Sequence, residues 1–479
     1  MSNASETQRR FIFEARDFAS RLGSFDWDDA LIVFHADADG TAAAAIACLA
    51  LRSMGVSFSA RSVTQIDRAF LESIAFPPRP VLFLDIGAGY LSGITSFLEP
   101  SKVVILDHHG VEGDSSSVLM LNPNEHGLNG GSEVSGSGVS YLVFKNLVED
   151  FSRMNELAIV GALADMQDVG VNRSLAGLNS TIVLEGEEMN IVRVEEDFVF
   201  FGRETLPIHV SISSSSNFII PGLSGDENVA LNFLRSLGIE VKTDDKWRTF
   251  SDLSQAERSR LLAGLMQYIA DLGFSPESAQ NLFGTIYVFE RESRGTVLRD
   301  GREFSALLNS CARMGRSAVG LAVAMGERGR MFEEAQRVSR EYRTTISKSL
   351  SNLLSVPGAK AESERILLYN GEGIIDQRVL SPVASIIFSS LPKDLGKILV
   401  VTASEDDSLK VSIRVPRSLV EKGVRGSLLA SNAAREAGGL GGGHDVAAGA
   451  TVPRRRFHSF MEAFEKNVAE QFGRMLRSS

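Results

Sequence analysis

Asp107, His108 and His109 stand side by side directly after the apolar run Val103-Val104-Ile105-Leu106. A short β-branched run ending in such residues is expected to be a buried strand whose last side chains spill into a site. Carboxylate with imidazole is a ligand mix suited to Mn²⁺, Fe²⁺ or Zn²⁺ rather than Ca²⁺. Two further stretches repeat the pattern. Leu31-Ile32-Val33-Phe34 runs into His35-Ala36-Asp37-Ala38-Asp39-Gly40, and Val81-Leu82-Phe83-Leu84 runs into Asp85-Ile86-Gly87. The plain alternative in each case is a polar turn or helix N-cap, positions that Asp favours on its own account. A fourth acidic group, Asp165, follows Gly161-Ala162-Leu163-Ala164 in an otherwise apolar turn. A carboxylate there is costly unless paired or metal-bound. Asp168, three residues on, could share its face or be solvated.

These groups can meet only if the intervening chain brings the strand ends together. A helix and short loop are expected over residues 11–30, an Ala-rich helix over residues 41–54 and another helix from about Asn155. Strands alternating with helices imply a parallel, doubly wound sheet. Such sheets bind ligands off the carboxyl ends of their strands, so the acidic residues converge on one edge. Between residues 31 and 170 there are 16 acidic against 7 basic residues, and carboxylates brought that close repel one another without a cation. The Gly/Ser-rich stretch from Gly130 to Gly138 leads into a helix from Val139. Such turns can cradle phosphate oxygens, although a flexible loop reads the same.

The 479 residues, 44% of them apolar, suit a globular chain of two or three domains. Two cysteines, Cys48 and Cys311, exclude a disulfide framework or a Cys-rich zinc site and read as core residues. With a polar start and no long apolar run, a soluble cytoplasmic protein without a membrane span is expected. The net charge of −11 argues against bulk affinity for nucleic acid. Locally the balance reverses: residues 408–435 carry six Lys/Arg against one Glu, as a phosphate-backbone track would. A solvated charged face is the alternative. Arg414, on an expected strand, is the best phosphate contact there, because guanidinium matches phosphate bidentately. Gly441-Gly442-Gly443-His444 would let the backbone approach a substrate closely. Between the two α/β regions, strand-like residues 190–201 precede helices at 254–272, 303–314 and 331–354. The last has one apolar face and one charged face, which suits a helix linking two domains.

Asp37-x-Asp39-Gly40, Asp85-x-Gly87, Asp107-His108-His109 and Gly161-x-x-x-Asp165 resemble, in order, the four motifs of the DHH phosphoesterase superfamily. Gly441-Gly442-Gly443-His444 resembles the signature of the DHH-associated C-terminal domain. Three middle segments, Gly202-Arg203-Glu204-Thr205, Pro221-Gly222-Leu223-Ser224-Gly225 and Leu308-Asn309-Ser310-Cys311-Ala312-Arg313, are similar to archaeal RecJ-like nucleases. That group includes the GINS-associated nuclease and is related to the eukaryotic helicase cofactor that joins MCM and GINS. His35 stands two residues before Asp37, as in the archaeal branch. Family pyrophosphatases carry the histidine four residues before, where this chain has Val33.

The resemblance implies a DHH domain with the metal site over residues 1–180, a mostly helical middle region with a connecting helix over 181–365, and a smaller α/β nucleic-acid-binding domain over 366–479. It implies two Mn²⁺ or Mg²⁺ ions. Asp85 would be shared between them, Asp37 would complete one site with His35, and Asp39, His108 and Asp165 would hold the other. His109 and Asp107 would orient neighbours and contact the scissile phosphate, while Arg414, Gly441, Gly442, Gly443 and His444 would hold the strand. The implied activity is hydrolysis of single-stranded DNA or RNA by an exonuclease attached to replication and repair through GINS. A phosphodiesterase on oligoribonucleotides or cyclic dinucleotides is an alternative, although members of that kind lack the long middle. A non-catalytic helicase scaffold is another, although such relatives lose metal-site carboxylates that this chain keeps.

Overall fold

The computed structural model describes residues 5–27, 29–214, 220–273, 282–392 and 395–478. They divide into two compact units, the first up to residue 339 and the second from residue 340.

The first unit opens with α1 (Glu6–Gly23). It starts earlier than apolar periodicity predicts, because Ser5 and Gln8 form a capping box. β1 (Asp29–His35), α2 (Ala38–Ser53), β2 (Ser57–Val63), α3 (Arg68–Ile74), β3 (Val81–Leu84), α4 (Leu91–Phe97), β4 (Val103–Leu106), β5 (Leu119–Leu121), α5 (Gly136–Phe144) and α6 (Ser152–Ala164) follow. The five strands form one parallel sheet in the order β2-β1-β3-β4-β5. β3 and β4 are buried throughout and β1 nearly so, as central strands covered on both faces must be. Leu31, Val33, Phe83 and Ile105 face α3 and α4, packing on Phe70, Leu71, Leu91 and Ile94. α2 and α5 cover the other face, with α6 packed on them. The sheet is therefore doubly wound, as predicted. β2 escapes sequence analysis because Ser57-Phe58-Ser59-Ala60-Arg61-Ser62-Val63 is half polar. It is an edge strand, where polar residues meet water.

Beyond α6, β6 (Val192–Phe198) reaches across the chain to pair with a strand at Phe283–Phe289, and a small hairpin, Lys242–Thr243 with Lys246–Trp247, lies between them in sequence. The rest of this middle region is helical, including Gln255–Asp271, Gly301–Arg313 and Ser317–Ala324. Arg203, 2% exposed, is buried among Asp197, Glu195 and Glu204. Its neutralisation there is a packing device of the middle region. Cys48 and Cys311 are buried and unbridged, and burial pushes both thiols up to about 12.

The second unit holds a six-stranded mixed sheet built from Lys360–Glu362, Ile366–Tyr369, Ile398–Glu405, Ser408–Arg414, Leu440–Gly443 and Ala447–Pro453. Leu440–Gly443 is an edge strand beside Ala447–Pro453. The core joins Val400, Val411 and Ile413 to Ala430, Phe460 and Phe464 from two helices. The fold is thus α/β at both ends with a mostly helical middle. Among the described residues no helix is long and apolar enough to cross a membrane.

Candidate metal centre

The carboxyl ends of β1, β3 and β4 bring the motif residues into one cluster. His35 Nδ1 lies 2.8 Å from Asp37 Oδ2 and 3.6 Å from Asp85 Oδ2. His108 Nε2 lies 3.1 Å from Asp85 Oδ1 and 3.9 Å from Asp39 Oδ2, and its Nδ1 lies 3.9 Å from Asp165 Oδ2. His109 Nδ1 is 3.8 Å from Asp85 Oδ1. Two ligand groups result, His35 with Asp37 and Asp85, and Asp85 with His108 and His109. Asp85 belongs to both.

The donor set fits divalent cations on a specific observation. His35 Nδ1 and Asp85 Oδ1 are buried and have no hydrogen-bond partner, despite polar atoms close by. Buried polar atoms are nearly always paired. Donor atoms that crowd together without aligning on one another are placed as ligands around an ion are placed. Asp85 also holds a left-handed backbone, φ +58°, a strain that well-packed surroundings maintain at functional sites.

A ring of hydrogen bonds fixes the cluster. His108 Nδ1 is 2.6 Å from the Gly130 carbonyl; donating there leaves Nε2 free to ligate. Gln167 Nε2 donates to the same carbonyl and to Asp165 Oδ2, and Asn179 holds Gln167 in turn. Asn122 and Asn124 donate to the carbonyls of His109 and His108. Asp107 is buried and accepts from the N–H groups of Ala88, His108 and His109 and from His109 Nδ1. That arrangement orients the two histidines. Asp37 is both an N-cap, accepting from Gly40 N–H, and a member of the cluster.

Asp39 lies in the first turn of α2 and accepts from Gly136 and Ser137 N–H, at 2.7 and 3.1 Å. The Gly-rich approach to α5, read from the sequence as able to cradle phosphate, therefore turns its helix N-terminus on a carboxylate of this protein. Two glycines admit the acids: a Cβ at Gly136 would stand 2.6 Å from Asp85 Oδ1, and one at Gly161 would overlap Asp39 Oδ1.

The electrostatics match. Burial, with Asp85 and Asp165 nearby, pushes the Asp39 carboxyl up to about 8. Against burial, which lowers it, Asp85, Asp165 and Asp39 hold the His108 imidazole well above its usual range. Despite burial, the His109 contacts and the Ala88 N–H hold Asp107 down at about 2. Concentrated negative charge thus gathers protons onto its neighbours, the positions that a cation would neutralise instead.

Some expected groups stand elsewhere. Asp168 pairs with Arg173 and Arg302, at 3.0 and 2.7 Å, and so ties the chain down. Arg414 donates to Ser381, Ser385, Ser412 and the Ile413 carbonyl. It has no carboxylate partner among the described residues, so its charge is unspent. Gly441 and Gly442 are half-buried, and Gly443 and His444 are exposed. Sequence analysis missed Arg313 as a site residue. It ends the helix Gly301–Arg313 and is exposed; against burial, the His35 imidazole and the Gly40 N–H, with a smaller contribution from the Arg313 charge, hold Asp37 below the usual carboxylate range. The only sequence signal was its place in the family-like segment from Leu308 to Arg313. Asn122, Asn124 and Gln167 gave no signal beyond ordinary loop polarity.

The chain matches the DHH family N-terminal domain over residues 29–167, the DHH-CID domain over 200–283 and the DHHA1 domain over 366–470. The chain thus carries, in this order, the DHH, DHH-CID and DHHA1 domains of the DHH superfamily. An uncharacterised protein of Methanocaldococcus jannaschii is 28% identical over 451 residues, 92% of this chain and 94% of that protein. Among solved structures, CDC45 from Entamoeba histolytica is similar in fold, with TM-score 0.61 at 11% identity over 96% of this chain and 98% of that one. RecJ from Thermus thermophilus in complex with Mn²⁺ gives 0.55 at 17%, over 97% of this chain and 55% of that one. An exonuclease RecJ bound to manganese gives 0.53 at 18%, over 95% and 94%.

Proposed function

We propose that this protein is a metal-dependent exonuclease that hydrolyses phosphodiesters in single-stranded DNA or RNA. The observation that carries this is the pair of ligand groups meeting at Asp85, with buried donor atoms that crowd one another without an aligned hydrogen bond. Asp37, Asp39, Asp85, His108 and Asp165 would hold two Mn²⁺ or Mg²⁺ ions, with His35 beside Asp37. A bound pair of divalent ions supplies Lewis acidity at the phosphoryl oxygens and the attacking water. Asp107 sets the His109 ring, whose side chain is 45% exposed and so open to substrate. Arg313 adds positive charge on the Asp37 side. Arg414, with its serine-held guanidinium, and the stretch Gly441, Gly442, Gly443 and His444 would hold the strand. Residues 1–180, 181–365 and 366–479 would serve as metal-bearing, middle and strand-holding parts. The RecJ structures bound to manganese support the metal choice.

Likeness to CDC45 favours work in DNA replication and repair alongside GINS, and it equally favours a second reading as a replicative scaffold. One experiment separates them: digestion of end-labelled DNA and RNA single strands with Mn²⁺, beside Asp37→Ala. Loss of one nucleotide at a time by the wild type only, with the labelled end reading the polarity, is expected. Equal digestion by Asp37→Ala sinks the assigned site. No digestion, with a stable complex on pull-down with recombinant GINS, moves the protein to the scaffold reading.

A further inference from the structure

Asp165 caps the C-terminal end of α6, and the next residue is left unexplained by the metal centre. Gln167 N–H reaches the Ala162 carbonyl and Met166 N–H the Leu163 carbonyl. This closes the helix in the manner that puts a left-handed residue at Met166, φ +56°. The turn has a clear purpose, since it swings Gln167 inward to hold Asp165 and Gly130. Glycine or asparagine would make that turn at less cost. The chain instead places a methionine there and leaves it 77% exposed. Val169 and Val171, further along the same loop, are 59% and 83% exposed.

The loop is held in place. Asp168 is clamped by Arg173 and Arg302, Arg302 also donates to the Arg173 carbonyl, and Thr285 donates to the Asn172 carbonyl. The clamp also neutralises Asp168, the only carboxylate in residues 166–175. The loop that follows Asp165 is thus held in place, presents three exposed apolar side chains and has no unpaired carboxylate, next in sequence to a strongly acidic centre. Apolar side chains of this kind pack on nucleobase faces and insert between base steps without reading sequence.

We infer that Met166, with Val169 and Val171, forms a ledge that packs against the nucleobase adjoining the phosphate held at the metal centre. The inference rests on the phosphodiesterase reading of that centre. A base, rather than a second protein, is the occupant because the ledge adjoins the site where the phosphate would sit. An attached nucleoside would then lie within a residue's reach of Met166. The contact would favour strands with bases over the same backbone without them, and would be indifferent to which base is present.

The test compares wild type, Met166→Asn and Met166→Leu on fully phosphorothioate single strands, which resist hydrolysis, with Mn²⁺ and fluorescence anisotropy as the readout. Each protein meets an intact strand and a strand abasic at both ends. Asn accepts the left-handed backbone, so the variant should keep the fold and Asp165. The wild type should bind the intact strand about tenfold more tightly than the abasic one, the scale expected for burying a methionine side chain. Met166→Asn should lose that margin on the intact strand and match wild type on the abasic one, and Met166→Leu should restore it. Equal loss on both strands, no change on either, or no binding of single strands by the wild type overturns the ledge. Hydrolysis of ordinary phosphodiester strands is measured alongside. Base-dependent binding without hydrolysis defeats the exonuclease and leaves the ledge standing; hydrolysis with binding insensitive to Met166 does the reverse.

Discussion

Replacing Asp85 by Asn should remove most of this protein's response to divalent cations while leaving the fold standing. Among the described residues Asp85 alone belongs to both ligand groups. It is 1% exposed and its Oδ1 has no hydrogen-bond partner. Asn keeps the shape and tolerates the φ of +58°, but brings no negative charge. A cation present at about 100 times its Kd stabilises the wild type by about 2.7 kcal/mol. Disturbing a residue that merely supports a ligand weakens metal affinity by about 10- to 100-fold. Removing the shared ligand itself belongs at or beyond the upper figure. At the same cation concentration the variant then retains about 0.4 kcal/mol. The assay is thermal unfolding, begun in EDTA and titrated with Mn²⁺. Asp168→Asn is the control. Its carboxylate, only three residues from Asp165 in sequence, is spent on Arg173 and Arg302, so this variant should be less stable in EDTA yet respond to Mn²⁺ as the wild type does. A wild-type protein indifferent to millimolar Mn²⁺, or an Asp85→Asn protein that responds fully, refutes the assignment of Asp85 as the common ligand.

Three further outcomes follow from the geometry. Asp107→Asn should cost about 2 kcal/mol in urea unfolding, since a charged acceptor of four hydrogen bonds is lost; an unchanged midpoint would show that the bonds do not hold the histidines. Arg313→Met should lower kcat/KM on single strands by about tenfold or more, as the loss of a positioned cation does, with the Mn²⁺ midpoint unmoved; a shifted midpoint instead would make Arg313 a support for Asp37. Glu303 is buried beside Asp300, and burial with that neighbour pushes its carboxyl up to about 8. The folded state therefore binds the extra proton, and its contribution to stability, complete below the ordinary Glu range near 4.3, is lost as pH rises through about 8. Glu303→Gln should flatten that decline in denaturation measured between pH 5 and 9, and an identical slope in both proteins would defeat the assignment.

The sequence alone determined which groups could act and on which side of the sheet they would gather. Apolar runs at Val81–Leu84 and Val103–Leu106 read as buried strands, which they are, and parallel strands joined by helices end on one side. Asp37, Asp85, His108 and their neighbours were bound to meet there. Tertiary structure decided the division of labour among like residues. Asp165 faces the cluster while Asp168 pairs with two arginines, one of them more than a hundred residues away. Asp107 orients its neighbours because four donors converge on it. The Gly-rich entry to α5 serves Asp39, β2 can be polar because it lies at an edge, and Arg313 arrives from a distant helix. The physical reason is range. Periodicity and turn chemistry report what a residue prefers beside its chain neighbours, whereas a carboxylate's role is set by the donors and charges that folding brings to it.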